Sequence, residues 1–500
     1  MSFDIREFTY EIICDEKVSD AVIETETDGE SLKLYIKATK DKPKYIKLHW
    51  NKKPLSDELV LGDTWERSYG DLEFKKPSTK NKHMPWYFIS TDKSCSFCFG
   101  VKTGCNSFIS FTYDERGISA LVDCRNGGNG VHLEGRKVLL ATFIAKEYEN
   151  ADVLSCLKDY LKKLCDSPLL PKEIIYGGNN WYYAYGKSSY KEIIFDAKLQ
   201  AQLAEGIVNR PFEVIDDCWQ KHKCAGPWLP NRKFKDMEKL AREIKEMGVR
   251  PGIWVRLLRN KDRHIRRDMK ILRGKKRQYL DPTHPEAQEY IRADIERIKG
   301  WGFELMKHDF SSFDLFGNYG RDLNETVTKI DGWHFYDKTK TNAEIVLDFY
   351  RLIKEAAGDM LIIGCDTVSH LCAGLVHINR IGDDTSGREW DRTRRMGVNT
   401  LAFRLMQNEV FYMCDADCVG ILKDYIPWEK NSQWLHLLSY SNTPLFVSCN
   451  NKITDKQKED LKKAYKVFNE RHDFKPVDIF ETKTPSIWEI DGEEIRYNWD

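Results

Sequence analysis

The sequence lacks the features that mark exported, membrane-spanning and dinucleotide-binding proteins. Residues 1–7, Met-Ser-Phe-Asp-Ile-Arg-Glu, have no basic start followed by an apolar run, so no secretory signal is indicated. No apolar stretch reaches the length that spans a bilayer. No Gly-x-Gly-x-x-Gly follows a predicted strand, so the dinucleotide fingerprint is missing. We therefore expect a cytoplasmic protein without a membrane partner.

The chain also has no excess of charge of either sign. Lys plus Arg and Asp plus Glu both number 78, which gives a formal net charge of zero. This balance argues against nucleic acid or an anionic membrane as a partner. Five hundred residues exceed one ordinary core, so two or three domains are predicted. The 14 Trp and 23 Tyr are consistent with sugar-binding clefts, and also with well-filled cores and sheets.

Without an export signal, the 14 cysteines are expected to be reduced thiols rather than a disulfide framework. Cys95-x-x-Cys98, followed by Cys105 and Cys124, offers four ligands for a structural zinc ion. The spacing of the later pair is irregular, and all four lie among strand-like segments. Buried thiols are therefore the default interpretation.

Residues 1–168 predict an antiparallel β-sandwich that ends in a linker helix over 153–164. Short runs of alternating apolar and polar residues are separated by Gly, Asp and Asn, which is typical of such sandwiches. Pro168 and Pro171 mark the end of this domain. The predicted strands are 32–37, 45–50, 86–89, 97–101, 117–123 and 138–144.

Residues 172–470 alternate between strand and helix patterns, which predicts parallel strands with right-handed crossovers. Eight such units fit a TIM barrel, the (β/α)8 fold, and an open doubly wound sheet is the alternative. Residues 471–500 predict a short C-terminal β appendage. The predicted barrel strands are 174–176 leading into 181–183, then 212–215, 251–255, 304–306, 360–364, 377–379, 410–413 and 445–448. The predicted helices are 195–205, 237–247, 285–299, 342–357, 390–407, 431–438 and 455–468.

Charged and aromatic residues follow seven of the predicted barrel strands, whereas the strand interiors are apolar. In a TIM barrel the carboxyl ends of the strands meet at one face, where the active site lies. The sequence therefore predicts a site at these ends. Its members are Trp181 and its neighbours, Asp216, Asp217, Trp254, Lys307, Asp309, Cys365, Arg380, Asp383, Asp384, Asp415 and Asp417.

Pairs of Asp on different strands suit glycoside hydrolysis by two carboxyl groups, one ionised and one protonated. Lys307 lies two residues before Asp309 and favours its ionised form, which indicates the nucleophile. Asp383 and Asp384 are adjacent like charges, so one of them is more easily kept protonated as the acid/base. The alternative for this pair is the N-cap of the following helix. A competing chemistry is a magnesium ion on Asp216, Asp217 and Asp309.

Five of these segments resemble family 36 of the glycoside hydrolases, the α-galactosidases and α-N-acetylgalactosaminidases, with the plant raffinose synthases as cousins. Phe212 to Trp219 resembles the family's Asp-Asp-Gly-Trp strand end, and Gly248 to Trp254 its third strand. Lys307-His-Asp309 resembles Lys-Trp-Asp, and Arg380-Ile-Gly-Asp-Asp-Thr385 its Ser-Asp-Asn-Thr and Arg-Ala-Ser-Asp-Asp forms. Cys414-Asp-Ala-Asp-Cys418 resembles Asn-Asp-Pro-Asp-Cys.

The resemblance implies a retaining exo-α-glycosidase without a cofactor or metal. Asp309 would be the nucleophile and Asp383 the acid/base, with their carboxyl groups roughly 5–5.5 Å apart. Asp216, Asp217, Trp254, Lys307 and Arg380 would hold sugar hydroxyls, and Cys365 and Trp181 would line the pocket.

The chain departs from the family at positions that contact the sugar. Cys218 replaces the Gly of Asp-Asp-Gly-Trp, His308 replaces an indole, and the loop after Cys365 lacks the Gly-rich run. The sugar therefore stays open between galactose, N-acetylgalactosamine and another α-pyranoside. Transglycosylation, a catalytically inactive sugar-binding protein and a homo-oligomeric state also stay open.

Overall fold

The N-terminal part of the chain forms two antiparallel sheets. The structure is a computed structural model that describes residues 3–273, 278–450 and 452–500. The first sheet has the strand order Thr9–Cys14, Pro43–Trp50, Gly117–Asp123, Phe108–Asp114 and Met84–Pro85. The second has the order Val22–Asp28, Ser31–Lys37, Lys137–Glu149, Cys95–Val101, Tyr87–Thr91 and Leu59–Gly62.

Aromatic side chains from the two sheets contact each other. The rings of Trp50 and Phe99 have centroids 5.0 Å apart, and those of Phe88 and Phe111 lie 5.8 Å apart. Such edge-on pairs add to the burial of apolar area. The helix Val153–Leu164 follows as predicted, and Asp152 caps it by accepting from the amide of Ser155 at 2.9 Å.

The second part is a parallel, TIM-like barrel sheet of nine strands. The seventh barrel strand is split into two pieces, which pair with the sixth and eighth strands respectively. The eighth strand pairs with the first, so the strand order closes on itself. In order the strands are Tyr176–Asn179, Phe212–Ile215, Arg250–Val255, Leu305–His308, Leu361–Gly364, Ile378–Arg380, Met413–Asp415 with Cys418–Gly420, and Leu445–Ser448.

Long helices connect the barrel strands. They are Tyr190–Leu203, Met237–Glu246, Pro285–Gly300, Asn342–Ala357, Trp428–Ser439 and Asp455–Phe468. Shorter helices are Trp181–Ala184, Ser311–Phe316 and Ser369–Cys372, with a 3-10 turn at Gly320–Asp322. A hairpin, Gln220–His222 with Ala225–Pro230, follows the second strand, and a three-stranded sheet of Phe474–Pro476, Ile487–Ile490 and Glu493–Arg496 ends the chain.

Two predicted elements were wrong. Residues 181–183, predicted as strand, are a short helix, because the first strand already ends at Asn179. Residues 410–412 precede the seventh strand, which begins at Met413. Residues 390–407 are helical as predicted, but the hydrogen-bond pattern changes along them, from Trp390–Arg392 to a π-helix Thr393–Asn399, then Thr400–Arg404 and a 3-10 turn Leu405–Gln407.

A loop of the N-terminal part, residues 63–70, lies against the barrel. Asp63 and Arg404 form a buried ion pair at 3.0 Å, and Arg404 also donates to the carbonyl of Glu66 at 3.0 Å. The amide of Ser68 donates to the carbonyl of Ile381 at 2.8 Å, and the amide of Asp383 donates back to Ser68 at 3.0 Å. This loop is therefore fixed directly over the end of the sixth strand.

The cysteines are free thiols in the structure. Cys98 is fully buried, which raises its pKa, whereas Cys95 is exposed. Within residues 3–273, 278–450 and 452–500, no group of three or more His, Cys, Asp or Glu side chains is arranged to hold a metal ion. In the same part of the chain, every helix is too short or too polar to cross a membrane.

Candidate active site

Asp309 follows the fourth barrel strand at its carboxyl end. The indole of Trp254, on the neighbouring strand, donates to its Oδ2 at 3.0 Å, and the amide of Phe310 donates to Oδ1 at 2.7 Å. Burial raises the pKa of Asp309 to about 6, although Lys307 and Arg67 act in the opposite direction. The carboxyl group is thus fixed in place by two hydrogen-bond donors.

Lys307 contacts a different carboxylate from the one that its position in the sequence suggests. Its ammonium group forms an ion pair with Asp216 Oδ2 at 2.9 Å, and the side-chain amide of Asn179 donates to the same oxygen at 2.9 Å. Lys307 still favours the ionised form of Asp309, as predicted, although its direct ion-pair partner is Asp216. Lys307 acts on Asp309 only at longer range, and burial outweighs it.

Asp217 has its oxygens occupied by the loop that follows it. Its Oδ1 accepts from the amide of Cys218 at 2.7 Å, from Gln220 Nε2 at 2.6 Å and from the amide of Cys224 at 3.0 Å. The thiol of Cys224 donates to Oδ2 at 2.8 Å. Asp217 thus stabilises the hairpin, and Asp216 is held by Lys307. Neither carboxylate is free for a magnesium ion in this arrangement.

Asp383 and Asp384 differ sharply in their surroundings. Asp383 lies between two guanidinium groups, with Arg67 at 3.0 Å and Arg392 at 2.6 Å, and its side chain is 8% exposed. Asp384 accepts from Arg380 at 3.0 Å, and 38% of its side chain is exposed. Asp384 is therefore the member of the pair that can meet a ligand. Neither caps the following helix, whose N-cap is Glu389.

The pKa of Asp384 is lowered in the free protein. Burial acts against ionisation of this carboxyl group, but the positive charges of Arg380, Arg67, Lys307 and Arg392 outweigh it. Lys307 and Arg67 act on the charges of both Asp309 and Asp384. The two carboxyl groups therefore share one electrostatic environment at the carboxyl end of the barrel.

Arg380 is the centre of a buried network at the end of the sixth strand. It forms an ion pair with Asp417 at 2.5 Å and contacts the hydroxyl of Tyr182 at 3.3 Å. The sulfur of Cys365 lies 3.9 Å from its Nη1, and burial raises the pKa of that thiol. Cys365 is buried and so forms the floor of the site rather than an exposed wall.

Trp181 lies at the end of the first strand, where its amide donates to Asn179 Oδ1 at 3.0 Å and its ring contacts that of Tyr185 at 5.3 Å. The next residue, Tyr182, donates its hydroxyl proton to Asp417. Trp181 thus lies beside the Arg380 network, although it is on a helix and not on the predicted strand.

The N-terminal loop adds residues that the sequence did not reveal. Arg67 reaches Asp383 at 3.0 Å and Asp384 at 4.0 Å. Glu66 accepts from Ser312 Oγ, which also lies 2.7 Å from Asp366 Oδ1. No pattern near residues 66 and 67 marks them, because their partners lie about 250 to 320 positions later in the chain. In contrast, Asn179 could have been found from its position after the first strand, just as Asp417 was predicted from its position after the seventh.

No protein-family model matches the chain. Among solved structures, it is similar to the α-galactosidase of Thermus thermophilus in complex with p-nitrophenyl α-D-galactopyranoside. That match has 14% identity and a TM-score of 0.65, and covers 98% of this chain and 99% of the other. It is also similar to a family 36 α-galactosidase of Geobacillus stearothermophilus in complex with stachyose, with 13% identity, a TM-score of 0.61 and coverage of 98% and 77%.

The chain has the fold of the family 36 α-galactosidases. A family 31 dextranase of Flavobacterium johnsoniae also matches, with 10% identity, a TM-score of 0.52 and coverage of 91% of this chain and 62% of that one. This fold thus carries enzymes that act on different sugars. The choice of sugar depends on side chains in the site and not on the fold.

Proposed function

We propose that the protein is a retaining exo-α-glycosidase of the α-galactosidase type. The observation that carries this proposal is that Asp309 follows the fourth barrel strand and Asp384 follows the sixth, where Arg380 at 3.0 Å and Arg67 at 4.0 Å contact Asp384. Two carboxyl groups at the ends of different barrel strands are the minimal equipment for glycoside hydrolysis. The family 36 fold supports the same reaction class.

In the first step, Asp309 attacks the anomeric carbon and forms a covalent glycosyl-enzyme. Its position is set by the indole of Trp254 and by the amide of Phe310, so little reorganisation is needed. We assign the role of acid to Asp384, which protonates the departing oxygen. In the second step Asp384 takes a proton from water, which releases the sugar from Asp309.

This assignment moves the acid/base from the predicted Asp383 to its neighbour. Asp383 is held between the guanidinium groups of Arg67 and Arg392, one on each of its oxygens. Both of its oxygens are in these ion pairs, and its side chain is almost fully buried. We propose that Asp383 instead orders the two arginines. Asp216, Lys307, Trp254 and Arg380 remain our candidates for holding sugar hydroxyls, with Trp181 at the edge.

We propose that the chain has three domains. They are a sandwich domain over 1–168, a catalytic (β/α)8 barrel over 172–470 and a β region over 471–500. A transglycosylase would need an acceptor subsite rich in aromatic rings, for which the sequence offers Trp228, Phe310 and Trp390. Two of these three residues have other roles. Trp228 is fully buried, and Trp390 donates to the carbonyl of Trp499. Hydrolysis is therefore preferred over transfer.

A panel of p-nitrophenyl α-glycosides tests the proposal. It should contain galactose, N-acetylgalactosamine, glucose and L-arabinopyranose, and we expect p-nitrophenol release from one α-sugar, with galactose foremost. Proton NMR of the first product should show the α-anomer, as retention requires. The β-anomer as first product would contradict the mechanism, and no release from folded protein would contradict the enzyme class.

The two pKa shifts predict an acidic pH optimum. Between the lowered pKa of Asp384 and the value of about 6 for Asp309, the pair holds one proton, and the reactive arrangement is the minor one, in which Asp384 carries that proton and Asp309 is ionised. Above pH about 6 the last proton leaves, so kcat/KM should fall about tenfold per pH unit.

A matched substrate isolates the role of that proton. The glycosyl fluoride of the preferred sugar needs no protonation of its leaving group, so its kcat/KM should rise to a plateau above pH 6 as Asp309 ionises. Equal profiles for the fluoride and for an alkyl glycoside would show that the decline has another cause.

A further inference from the structure

Two buried carboxyl groups face each other beside the catalytic pair. Glu66 lies on the N-terminal loop and Asp366 follows the fifth barrel strand, and each is only 1% exposed. Ser312 Oγ contacts Glu66 Oε2 and lies 2.7 Å from Asp366 Oδ1, so it bridges the two carboxyl groups. Two ionised carboxylates this close have no proton with which to bond to each other, and their like charges repel.

The surrounding donors are too few for two ionised groups. Glu66 Oε1 accepts from the hydroxyl of Tyr69 and from the amide of Gly320 at 2.5 Å. Ser312 Oγ is within reach of both Glu66 Oε2 and Asp366 Oδ1, but a hydroxyl has one hydrogen and can donate to only one of them. Asp366 Oδ2 is buried and has no hydrogen-bond donor among the described residues. One extra proton supplies the missing donor.

The pair is coupled to the active site through the chain itself. Glu66 is followed directly by Arg67, whose guanidinium lies 3.0 Å from Asp383 and 4.0 Å from Asp384. Ser312, the shared donor, lies three residues after Asp309. A bond between Glu66 and Asp366 therefore joins the loop that carries Arg67 to the strand ends that carry the reacting groups.

We propose that Glu66 and Asp366 share one proton, and that this pair positions Arg67 of the N-terminal loop over the catalytic carboxylates. The positioning part rests on the proposed function, whereas the shared proton does not. Burial raises the pKa of Asp366, in agreement with a retained proton. The other charged or titratable groups near the pair are Arg67, Arg256 with its partner Asp314, Asp309, Tyr69, Tyr319 and Tyr350.

The shared proton is tested by the pH dependence of unfolding. In the unfolded chain both carboxyl groups are ionised above pH about 6, so folding takes up one proton and stability falls as pH rises. The amide in Glu66→Gln donates to Asp366 without that proton. In urea unfolding between pH 6 and 8.5, the variant should take up about one proton fewer than the wild type. Equal proton uptake would overturn the proposal.

The positioning role is tested by activity at a fixed pH of 6. Glu66→Gln keeps the bond and should retain activity, whereas Glu66→Ala should lower kcat/KM at least about tenfold by releasing Arg67. Adding Arg67→Ala to the Glu66→Ala variant should lower kcat/KM only slightly further, because Glu66 acts through Arg67. Equal activity of the Gln and Ala variants would contradict positioning. If the wild type were inactive, only the proposed function would be contradicted. The shared proton would still be tested, because it is measured by urea unfolding and not by activity.

Discussion

Replacement of Asp309 by Asn should reduce kcat/KM by about 10⁴-fold, because the covalent intermediate can no longer form. The amide oxygen can accept from only one of the two donors, the Trp254 indole or the Phe310 amide, because the amide nitrogen takes the place of the other acceptor. Steady-state kinetics with the best p-nitrophenyl glycoside measures the loss, and a thermal unfolding curve confirms that the variant is folded. A surface variant, Asp391→Asn, controls for general effects, because Asp391 is 62% exposed.

Chemical rescue makes this result specific. In Asp309→Gly, azide can occupy the space of the missing carboxylate and attack from the same side. The product should then be a β-glycosyl azide, with one inversion instead of two. An active Asp309→Asn variant without contaminating wild-type protein would show that another group is the nucleophile.

The sequence predicted helices best where the end signals are local. The helix Asn342–Ala357 was placed correctly at both ends, since Thr341 and Glu344 form a capping box and Gly358 follows its last residue. The strands were predicted correctly where an apolar run ends at a charged residue, as where Phe212–Ile215 is followed by Asp216. These features need no knowledge of the rest of the chain.

The errors occurred where neighbours in space outweigh local preference. Trp181, Tyr182 and Tyr183 favour strands by their side chains, yet they form a helical turn because Tyr182 has its partner in Asp417. The seventh strand is short and contains Asp415, so its apolar predecessor, residues 410–412, gave the stronger signal. A strand interrupted by Asp residues does not have the alternation that predicts strands.

The site was predictable in its location but not in its roles. The charged residues at the strand ends do lie together, because parallel strands bring their carboxyl ends to one edge. Which carboxylate each cation holds depends on distances that the sequence does not contain. Lys307 pairs with Asp216 rather than Asp309, and Arg67 comes from a separate part of the chain.

The choice between Asp383 and Asp384 predicts a large difference between two adjacent substitutions. Asp384→Ala should lower kcat/KM by about 10²–10⁴-fold for a glycoside with a poor leaving group, but hardly at all for the glycosyl fluoride. The second step still lacks its general base, so kcat on the fluoride should fall. Azide should restore this kcat and give an α-glycosyl azide, because it attacks the glycosyl-enzyme in place of water.

Asp383→Asn is the matched control, one residue away and with the same loss of a carboxylate. It leaves Arg67 and Arg392 without their shared partner, so the substrate should bind less well and the protein should be less stable. That loss should be equal for good and poor leaving groups, because no proton transfer is removed. A loss in Asp383→Asn that grows with the pKa of the leaving group, together with an unaffected Asp384→Ala, would return the acid/base role to Asp383. The leaving-group dependence therefore separates the residue that moves the proton from the residue that orders its surroundings.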